Sequence, residues 1–200
     1  MFREFIASQF KKPEGLFGIF TSNMMVKNNR KNYERLIKDL DLHSNFKLLE
    51  IGYGPGIGIT MIEEQCPTCT VDGIDFSKLM FRRASKYNKQ YINNNKVALW
   101  HGDFLQLPVT DKQYDRIFCV NVIYFWNSLK EPFEKVFSLL KQGGSFHIYM
   151  AGPKFLKDKS APDSVFSKYS IEQVTEQLKA AGFTAVQHAT ENGHHIKARK

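Results

Sequence analysis

Short apolar runs alternate with amphipathic segments along most of the chain. The runs that predict strands are 46–51, 70–74, 97–100, 114–120 and 145–150. The segments that predict helices between and after them are 59–65, 77–91, 128–140 and 170–181. This alternation predicts an α/β fold with a doubly wound, mostly parallel sheet and right-handed crossovers.

The last part of the chain has a different pattern. Two strand-like runs, 183–189 and 194–198, flank Asn192-Gly193. Asn-Gly between such runs is a strong signal for a β-hairpin. The sequence therefore predicts one antiparallel strand at the end of an otherwise parallel sheet.

The first forty-odd residues stand outside the alternation. Apolar residues such as Phe17, Phe20 and Met24 predict amphipathic helices that cap the edge of the sheet where ligands bind. A chain of 200 residues fits one domain. We therefore expect a single domain, 1–200, with a helical cap over 1–43 and a catalytic α/β core over 46–200.

Composition adds little to this picture. No apolar run approaches the ~20 residues of a membrane span, and the mixed N-terminus is unlike a signal peptide, so we expect a cytoplasmic protein. Cys66 and Cys69 form a C-x-x-C without a second ligand pair, which favours cysteines with no special role. The net charge of +8 permits an acidic partner, but the cations are scattered and no RNA-binding motif accompanies them. The oligomeric state is not indicated.

The segment after the first predicted strand is rich in glycine. Gly52, Gly54 and Gly56 stand at alternate positions behind Glu50, which allows a tight turn and close approach of the backbone to a ligand. The following helix offers free N–H groups to an anion. The segment does not fit the dinucleotide fingerprint, because the sixth positions are not glycine, and it lacks the Lys-Ser/Thr of a P-loop.

The ends of the next strands carry side chains suited to a nucleoside. Asp75 follows the second strand, where an acid can accept hydrogen bonds from ribose hydroxyls. Asp103 and Phe104 follow the third, and a polar, then aromatic run, 121–126, follows the fourth. Taken alone, each of the two aspartates fits a helix cap equally well. Taken in order, they indicate one site at the carboxyl ends of the strands.

The ordered segments resemble the successive motifs of class I S-adenosylmethionine-dependent methyltransferases, in particular the small-molecule, ubiquinone-biosynthesis-like branch (methyltransferase type 11). They are LLEIGYGPGIG (48–58), VDGIDFSKLM (71–80), HGDFLQLP (101–108), YDRIFCVNVIYFW (114–126) and LLKQGGSFHIY (139–149). The resemblance covers about residues 46–150. It implies a Rossmann-like sheet of seven strands in which the last strand of the hairpin lies antiparallel beside the fifth.

The resemblance also implies S-adenosylmethionine as the cofactor and no metal. The residues that would hold its methionine portion are Glu50, Gly52, Gly54, Gly56 and, through backbone atoms, Asn121. Tyr53 lies among them in a slot that smaller residues often fill. Asp75 would take the ribose hydroxyls and Phe76 would touch the adenine. Asp103 would bind the adenine amine, with Phe104 beside it.

The chemistry that the resemblance implies is direct displacement at the sulfonium methyl, in which much of the catalysis is positioning. Where the acceptor needs a general base, Tyr124, His101 and Tyr53 are the candidates. A further hypothesis is that residues 28–30 (Asn-Asn-Arg) close over the cofactor's carboxylate.

The acceptor is expected to be a small molecule. The run from Asn121 to Tyr124 lacks the two prolines of the Asn/Asp-Pro-Pro-Tyr/Phe motif that is usual in methyltransferases acting on nucleic-acid bases or glutamine. No cysteine lies in a loop suited to cytosine-carbon methylation. The alternatives are an RNA methyltransferase that uses the basic surface and a non-catalytic module that binds S-adenosylmethionine.

Overall fold

A mixed sheet of seven strands carries helices on both faces. The computed structural model describes residues 15–107, 113–152, 162–191 and 193–200. The strands are β1 (Lys47–Ile51), β2 (Thr70–Asp75), β3 (Val97–His101), β4 (Tyr114–Val120), β5 (Leu140–Met150), β6 (Ala185–Thr190) and β7 (His194–Arg199). The helices are α1 (Gly15–Asp39), α2 (Ile57–Gln65), α3 (Lys78–Tyr87), α4 (Lys89–Asn93), α5 (Lys130–Leu139) and α6 (Ile171–Ala180).

The strand order is β3-β2-β1-β4-β5-β7-β6. Strands β1 to β5 are parallel, and β7 lies antiparallel between β5 and β6. This confirms the predicted fold class and the antiparallel strand beside the fifth; Asn192 of the predicted turn lies outside the described residues. The chain moves outward from β1 to β3 and returns to β4 beside β1, so the strand order reverses between β1 and β4.

Successive residues of the strands point to opposite faces of the sheet and pack into two separate apolar cores. In β1, Leu48 faces a core shared with α1 and α2, whereas Leu49 and Ile51 face a core shared with α5 and α6. Covering both faces suits the near-continuous apolar runs of a parallel sheet. The carboxyl ends of β1 to β5 meet along one edge, called the carboxyl edge below, and their amino ends meet along the opposite amino edge.

Helix α1 packs on the first of these cores through residues at helical spacing. Tyr33, Leu36, Ile37 and Leu40 at its end are all buried. Residues 1–14 of the expected helical cap lie outside the described residues, and the division of the chain at 43–46 remains a prediction. Within the described residues, no helix combines the length and the apolar character that a membrane span requires.

The predicted helix over 77–91 is wrong in one respect, because the structure divides it at Asn88. The Asn88 side chain donates hydrogen bonds to the carbonyls of Gly56 (3.0 Å) and Ala84 (3.1 Å) and accepts one from the Thr60 hydroxyl (2.7 Å). The side chain thereby ties α3 to the start of α2. The helix predicted over 170–181 is confirmed as α6, with Ser170 as its cap and Gln173 completing a capping box.

Two further predictions are corrected. Strand β5 begins at Leu140 instead of 145, because Leu140 already pairs with Tyr114 of β4. Residues 141–144 then form a bulge before the pairing resumes at Ser145. Cys66 and Cys69, expected to have no special role, form a disulfide across a turn closed by the Cys69 amide and the Cys66 carbonyl (2.9 Å). Cys119 is buried in β4.

We expect Asn88→Ala to lower the free energy of unfolding by about 2–3 kcal/mol, since it removes the three hydrogen bonds that this buried side chain makes with the Gly56 carbonyl, the Ala84 carbonyl and the Thr60 hydroxyl. Urea denaturation checks this value. Asn94→Ala is the matched control, because Asn94 is exposed at the end of α4. This variant should lose at most about 0.5 kcal/mol of stability. Equal losses in the two variants would contradict the role assigned to Asn88.

Candidate functional site

The glycine-rich loop after β1 lies over the carboxyl edge of the sheet. The Gly52 amide donates to the Ile74 carbonyl (2.7 Å), which draws the loop toward β2. Gly52 has φ +70°, and a Cβ there would lie 2.4 Å from the Val122 side chain. Gly54 has φ +53°, and a Cβ there would meet nothing within 4 Å. The loop therefore needs glycine for its conformation and leaves open space in front of Gly54.

Asp75 joins this loop to the next one. One carboxylate oxygen accepts from the Gly54 amide and the other from the Ser77 amide, both at 2.8 Å. Burial raises the pKa of Asp75 to about 6, and these two hydrogen bonds act in the opposite direction. Each oxygen keeps a second lone pair, so the capping contacts leave acceptor capacity for a ligand.

Glu50 is a fully buried carboxyl group at the end of β1. The Tyr33 hydroxyl of α1 donates to its Oε1 at 2.6 Å, whereas Oε2 has no hydrogen-bond partner among the described residues. Burial raises the pKa of Glu50 to about 8; the Tyr33 hydrogen bond lowers it and the charge of Asp75 raises it further. A buried oxygen without a hydrogen-bond partner is uncommon and costly, which makes Oε2 a candidate for contact with a ligand.

Asn121 stands opposite, at the end of β4. It has φ +58°, a left-handed conformation that is uncommon outside glycine. Its side-chain nitrogen donates to Asn29 of α1 at 3.0 Å, and its Oδ1 is buried without a donor among the described residues. Strands β1 and β4 are neighbours at the reversal of strand order, where ligands bind in open α/β sheets.

The structure brings the remaining predicted residues to the same edge, with different exposure. Asp75 pairs with His101 in the β2–β3 ladder, so the two loops are adjacent. His101 is exposed and lies against the Phe81 ring, with 6.1 Å between ring centroids. Phe76 is half-buried. Tyr53 is fully buried beneath the loop, and its hydroxyl donates to the Trp100 carbonyl at 3.0 Å.

The loop after β3 presents one acid and one ring. Asp103 is exposed, and one of its oxygens caps the following turn by accepting from the Leu105 amide at 2.9 Å. Phe104 is buried, and the Lys135 ammonium lies over its ring at 5.5 Å from the centroid. Lys135 donates to the carbonyls of Leu105 and Leu107, which holds this loop against α5.

An aromatic group follows β4. Tyr124 is buried, and its hydroxyl accepts a hydrogen bond from the Ala151 amide. Burial raises the pKa of Tyr124 well above its ordinary value. Phe125 lies 5.4 Å from Phe166 between ring centroids, and the Tyr169 hydroxyl donates to the Trp126 carbonyl at 2.6 Å. Residues 162–170 thus pack onto this group, which adjoins Asn121.

Sequence reasoning missed Tyr33, although a signal was present. Tyr33 is four residues after Asn29, so one face of α1 presents both to the carboxyl edge. In the predicted closing segment, Asn29 contacts Asn121, and Arg30 is exposed and paired with Glu34. Within the described residues, no three His, Cys, Asp or Glu side chains are grouped to hold a metal ion.

Comparison with known proteins adds family evidence to this geometry. Residues 48–144 match a family model described as a methyltransferase domain. The chain is 26% identical over 117 residues to the sterol 24-C-methyltransferase of Candida albicans, which covers 57% of this chain and 30% of that enzyme. It is 26% identical over 160 residues to the uncharacterized methyltransferase YdaC of Bacillus subtilis, which covers 80% and 83% of the two chains.

The fold is also that of solved methyltransferases. The phosphoethanolamine N-methyltransferase 2 of Haemonchus contortus, solved with S-adenosyl-L-methionine, is similar over 92% of this chain and 56% of that one, with a TM-score of 0.76 and 17% identity. This chain contains a class I S-adenosylmethionine-dependent methyltransferase domain. The chain spans only 30% of the length of the sterol enzyme, so the match does not assign the activity of that whole enzyme to this chain.

The residues of this methyltransferase domain fit the cofactor. S-adenosylmethionine carries an ammonium group at its methionine end. Glu50 Oε2 and Asn121 Oδ1, which no described residue contacts by a hydrogen bond, are suited to its hydrogen atoms. A positive charge there would offset the cost of ionising Glu50. The space before Gly54 leaves room for close approach to the backbone.

The raised pKa of Glu50 makes stability depend on pH. Between pH 4.5 and about 8 the folded protein holds a proton that the unfolded chain releases, so the free energy of unfolding falls as the pH rises through this window. Glu50→Gln removes this term. We therefore expect the variant to gain stability relative to the parent between pH 5 and pH 8, as measured by urea denaturation at both values without cofactor.

Glu64→Gln is the control for this measurement, because Glu64 is exposed on α2. Its difference from the parent should be the same at both pH values. If the difference between Glu50→Gln and the parent is also the same at both pH values, the raised pKa of Glu50 in the folded protein is contradicted.

Proposed function

We propose that the chain transfers the methyl group of S-adenosylmethionine to an apolar small molecule by direct displacement. The observation that carries this proposal is a pair of buried oxygens, Glu50 Oε2 and Asn121 Oδ1, that have no hydrogen-bond partner among the described residues and lie at the point where the strand order reverses. An unpaired buried oxygen costs about 1–3 kcal/mol, so a pair at one edge is best explained by a ligand that donates to both.

The other predicted residues then take the roles that their positions support. Gly52, Gly54 and Gly56 let the backbone approach the methionine portion. Asp75 accepts from the ribose with the lone pairs that its capping contacts leave. Asp103 accepts from the adenine amine, and the rings of Phe76 and Phe104 flank the base. Tyr53 supports the loop from below and does not line the site.

When bound, the cofactor supplies a methyl group already activated by its sulfonium, so the protein's part is to hold the acceptor in line and exclude water. Tyr124 and Tyr53 are poor bases, because burial raises the pKa of both and their hydroxyls are engaged with Ala151 and Trp100. His101 is the candidate that remains open to solvent. The proposed reaction relies on positioning and uses no tyrosine as a base.

The aromatic group after β4 supports an apolar acceptor. Phe125 and Trp126 are half-buried beside Asn121, and both pack against further rings. Such a wall offers dispersion contacts and few hydrogen bonds, which suits a hydrocarbon or aromatic surface. The name of the Candida albicans relative, a sterol methyltransferase, is consistent with this class of acceptor.

Calorimetric titration with S-adenosylmethionine tests the cofactor part of the proposal. We expect Asn121→Gly and Asn121→Ala to weaken binding about five- to tenfold, since both remove the amide acceptor. Asn121→Ala should also lose roughly 1 kcal/mol of stability relative to Asn121→Gly, because only glycine adopts φ +58° without strain.

Asn45 provides the matched control. It has φ +64° in an exposed turn, so Asn45→Gly and Asn45→Ala should reproduce the stability difference without changing the affinity. No detectable binding of S-adenosylmethionine by the parent would refute the proposed function.

Transfer of a labelled methyl group to metabolite extracts tests the acceptor. We expect the label in the fraction soluble in organic solvent, and less of it with Asn121→Gly under subsaturating cofactor. Label confined to the aqueous small-molecule fraction would overturn the apolar class, and label confined to added RNA would favour the RNA methyltransferase instead.

A further inference from the structure

A second cleft lies at the amino edge of the sheet, on the side opposite the cofactor loops. Its volume is about 300 Å³, at the lower end of the range for ligand pockets. Arg116, Lys141, Ser145 and Arg199 line it together with Asp115. These residues come from the starts of β4 and β5 and from the end of β7, which runs in the opposite direction.

Strand register sets two arginines on either side of a serine. Arg116 of β4 is paired with Ser145 of β5, and Ser145 is paired with Arg199 of β7. Side chains paired across neighbouring strands stand on the same face of a sheet. The row Arg116–Ser145–Arg199 therefore spans two strand spacings, or about 10 Å, with a serine between two arginines.

The charges of this row are not balanced within the cleft. Its lining holds three cations, Arg116, Lys141 and Arg199, against one carboxylate. That carboxylate, Asp115, is already engaged, with both oxygens 2.8 Å from the Lys141 ammonium. Arg116 donates to the main-chain carbonyls of Leu40 (2.7 Å) and Asp115 (2.9 Å), which orient its guanidinium without neutralising it.

The neighbouring groups show that the positive charges converge. Burial lowers the pKa of His147 to about 3, and the charges of Lys197, Arg116 and Arg199 act in the same direction. His147 is therefore neutral, and its Nε2 lies 2.9 Å from the Ser145 hydroxyl. Burial also lowers the pKa of Arg116; the carboxylates of Asp41 and Asp115 oppose this shift, and the charge of Arg199 adds to it.

The β5 bulge forms one wall of the cleft. Residues 141–144 leave the ladder with β4, and Gly143 has φ +77°. A Cβ on Gly144 would lie 2.9 Å from the Lys141 carbonyl oxygen and 3.2 Å from that of Asp115. Lys141 belongs to this bulge and lines the cleft together with Arg116.

We propose that this cleft binds a small phosphate-bearing anion between Arg116 and Arg199. Guanidinium groups form charge-assisted, often bidentate, hydrogen bonds with phosphate. The strand register places Ser145 between the two arginines. A cleft of this size holds one or two phosphate groups. The site is independent of the methyltransferase proposal, because it uses none of the residues at the carboxyl edge.

Calorimetric titration with pyrophosphate, against sodium chloride of equal ionic strength, tests the site. We expect saturable binding that Arg199→Gln weakens about tenfold, since it removes a charge-assisted contact. Arg199 is exposed at the end of β7, so this variant should fold and should keep the parent's affinity for S-adenosylmethionine. Arg82→Gln is the matched control, because Arg82 is exposed on α3, and its pyrophosphate affinity should stay within about twofold of the parent.

Three outcomes would overturn the proposal. The first is that pyrophosphate gives no more heat than chloride. The second is that Arg199→Gln and Arg82→Gln lose the same affinity, which would indicate a general effect of net charge and no specific site. A single-stranded RNA could bind with a loss in Arg199→Gln while pyrophosphate does not bind. In that case the cleft belongs to a nucleic-acid surface.

Discussion

The carboxyl group of Glu50 is the constraint on which the candidate site depends. It is buried at the end of β1, where ionisation is costly unless a positive charge or several donors come near. Tyr33 supplies one donor from α1, and no other residue in the described part of the chain donates to the second oxygen. Ionising Glu50 at the reversal of strand order is therefore costly in the protein alone. A cationic ligand group bound there would offset this cost.

Asp75 shows how structural and binding roles coincide. Its carboxylate closes the glycine loop through the Gly54 amide and accepts from the amide of Ser77, the residue that caps α3. The choice between a cap and a ligand group is therefore not exclusive, since a carboxylate has about four acceptor positions and the caps use two. A residue that shapes the loop in this way also places its remaining lone pairs where the loop leaves space.

The acids of the candidate cofactor site and the two arginines of the second cleft lie at opposite edges of the sheet. Glu50, Asp75 and Asp103 lie at the carboxyl edge, whereas Arg116 and Arg199 lie at the amino edge. In the sequence the cations look scattered, because residues 116 and 199 are far apart. The ladder through Ser145 makes them near neighbours. Scattered charge in a sequence is therefore weak evidence against a localised basic site.

Local patterns in the sequence determined the sheet, the order of its motifs and the residues of the carboxyl edge. Alternation of apolar runs, the glycines of the first loop and the cap at Ser170 act over a few residues, so they can be recognised without tertiary contacts. The Rossmann-like topology and the place of the last strand followed from resemblance to a family whose motifs occur here in order.

Only the tertiary structure decided the contacts between distant segments. The break at Asn88 depends on the Gly56 carbonyl, the support of Glu50 depends on Tyr33, and the arginine row depends on the register of three strands. The Cys66–Cys69 disulfide depends on how the turn between α2 and β2 closes. A sequence specifies which side chains are available, but burial, register and the partners of a polar group are set by packing across the sheet, because each depends on residues remote in the chain.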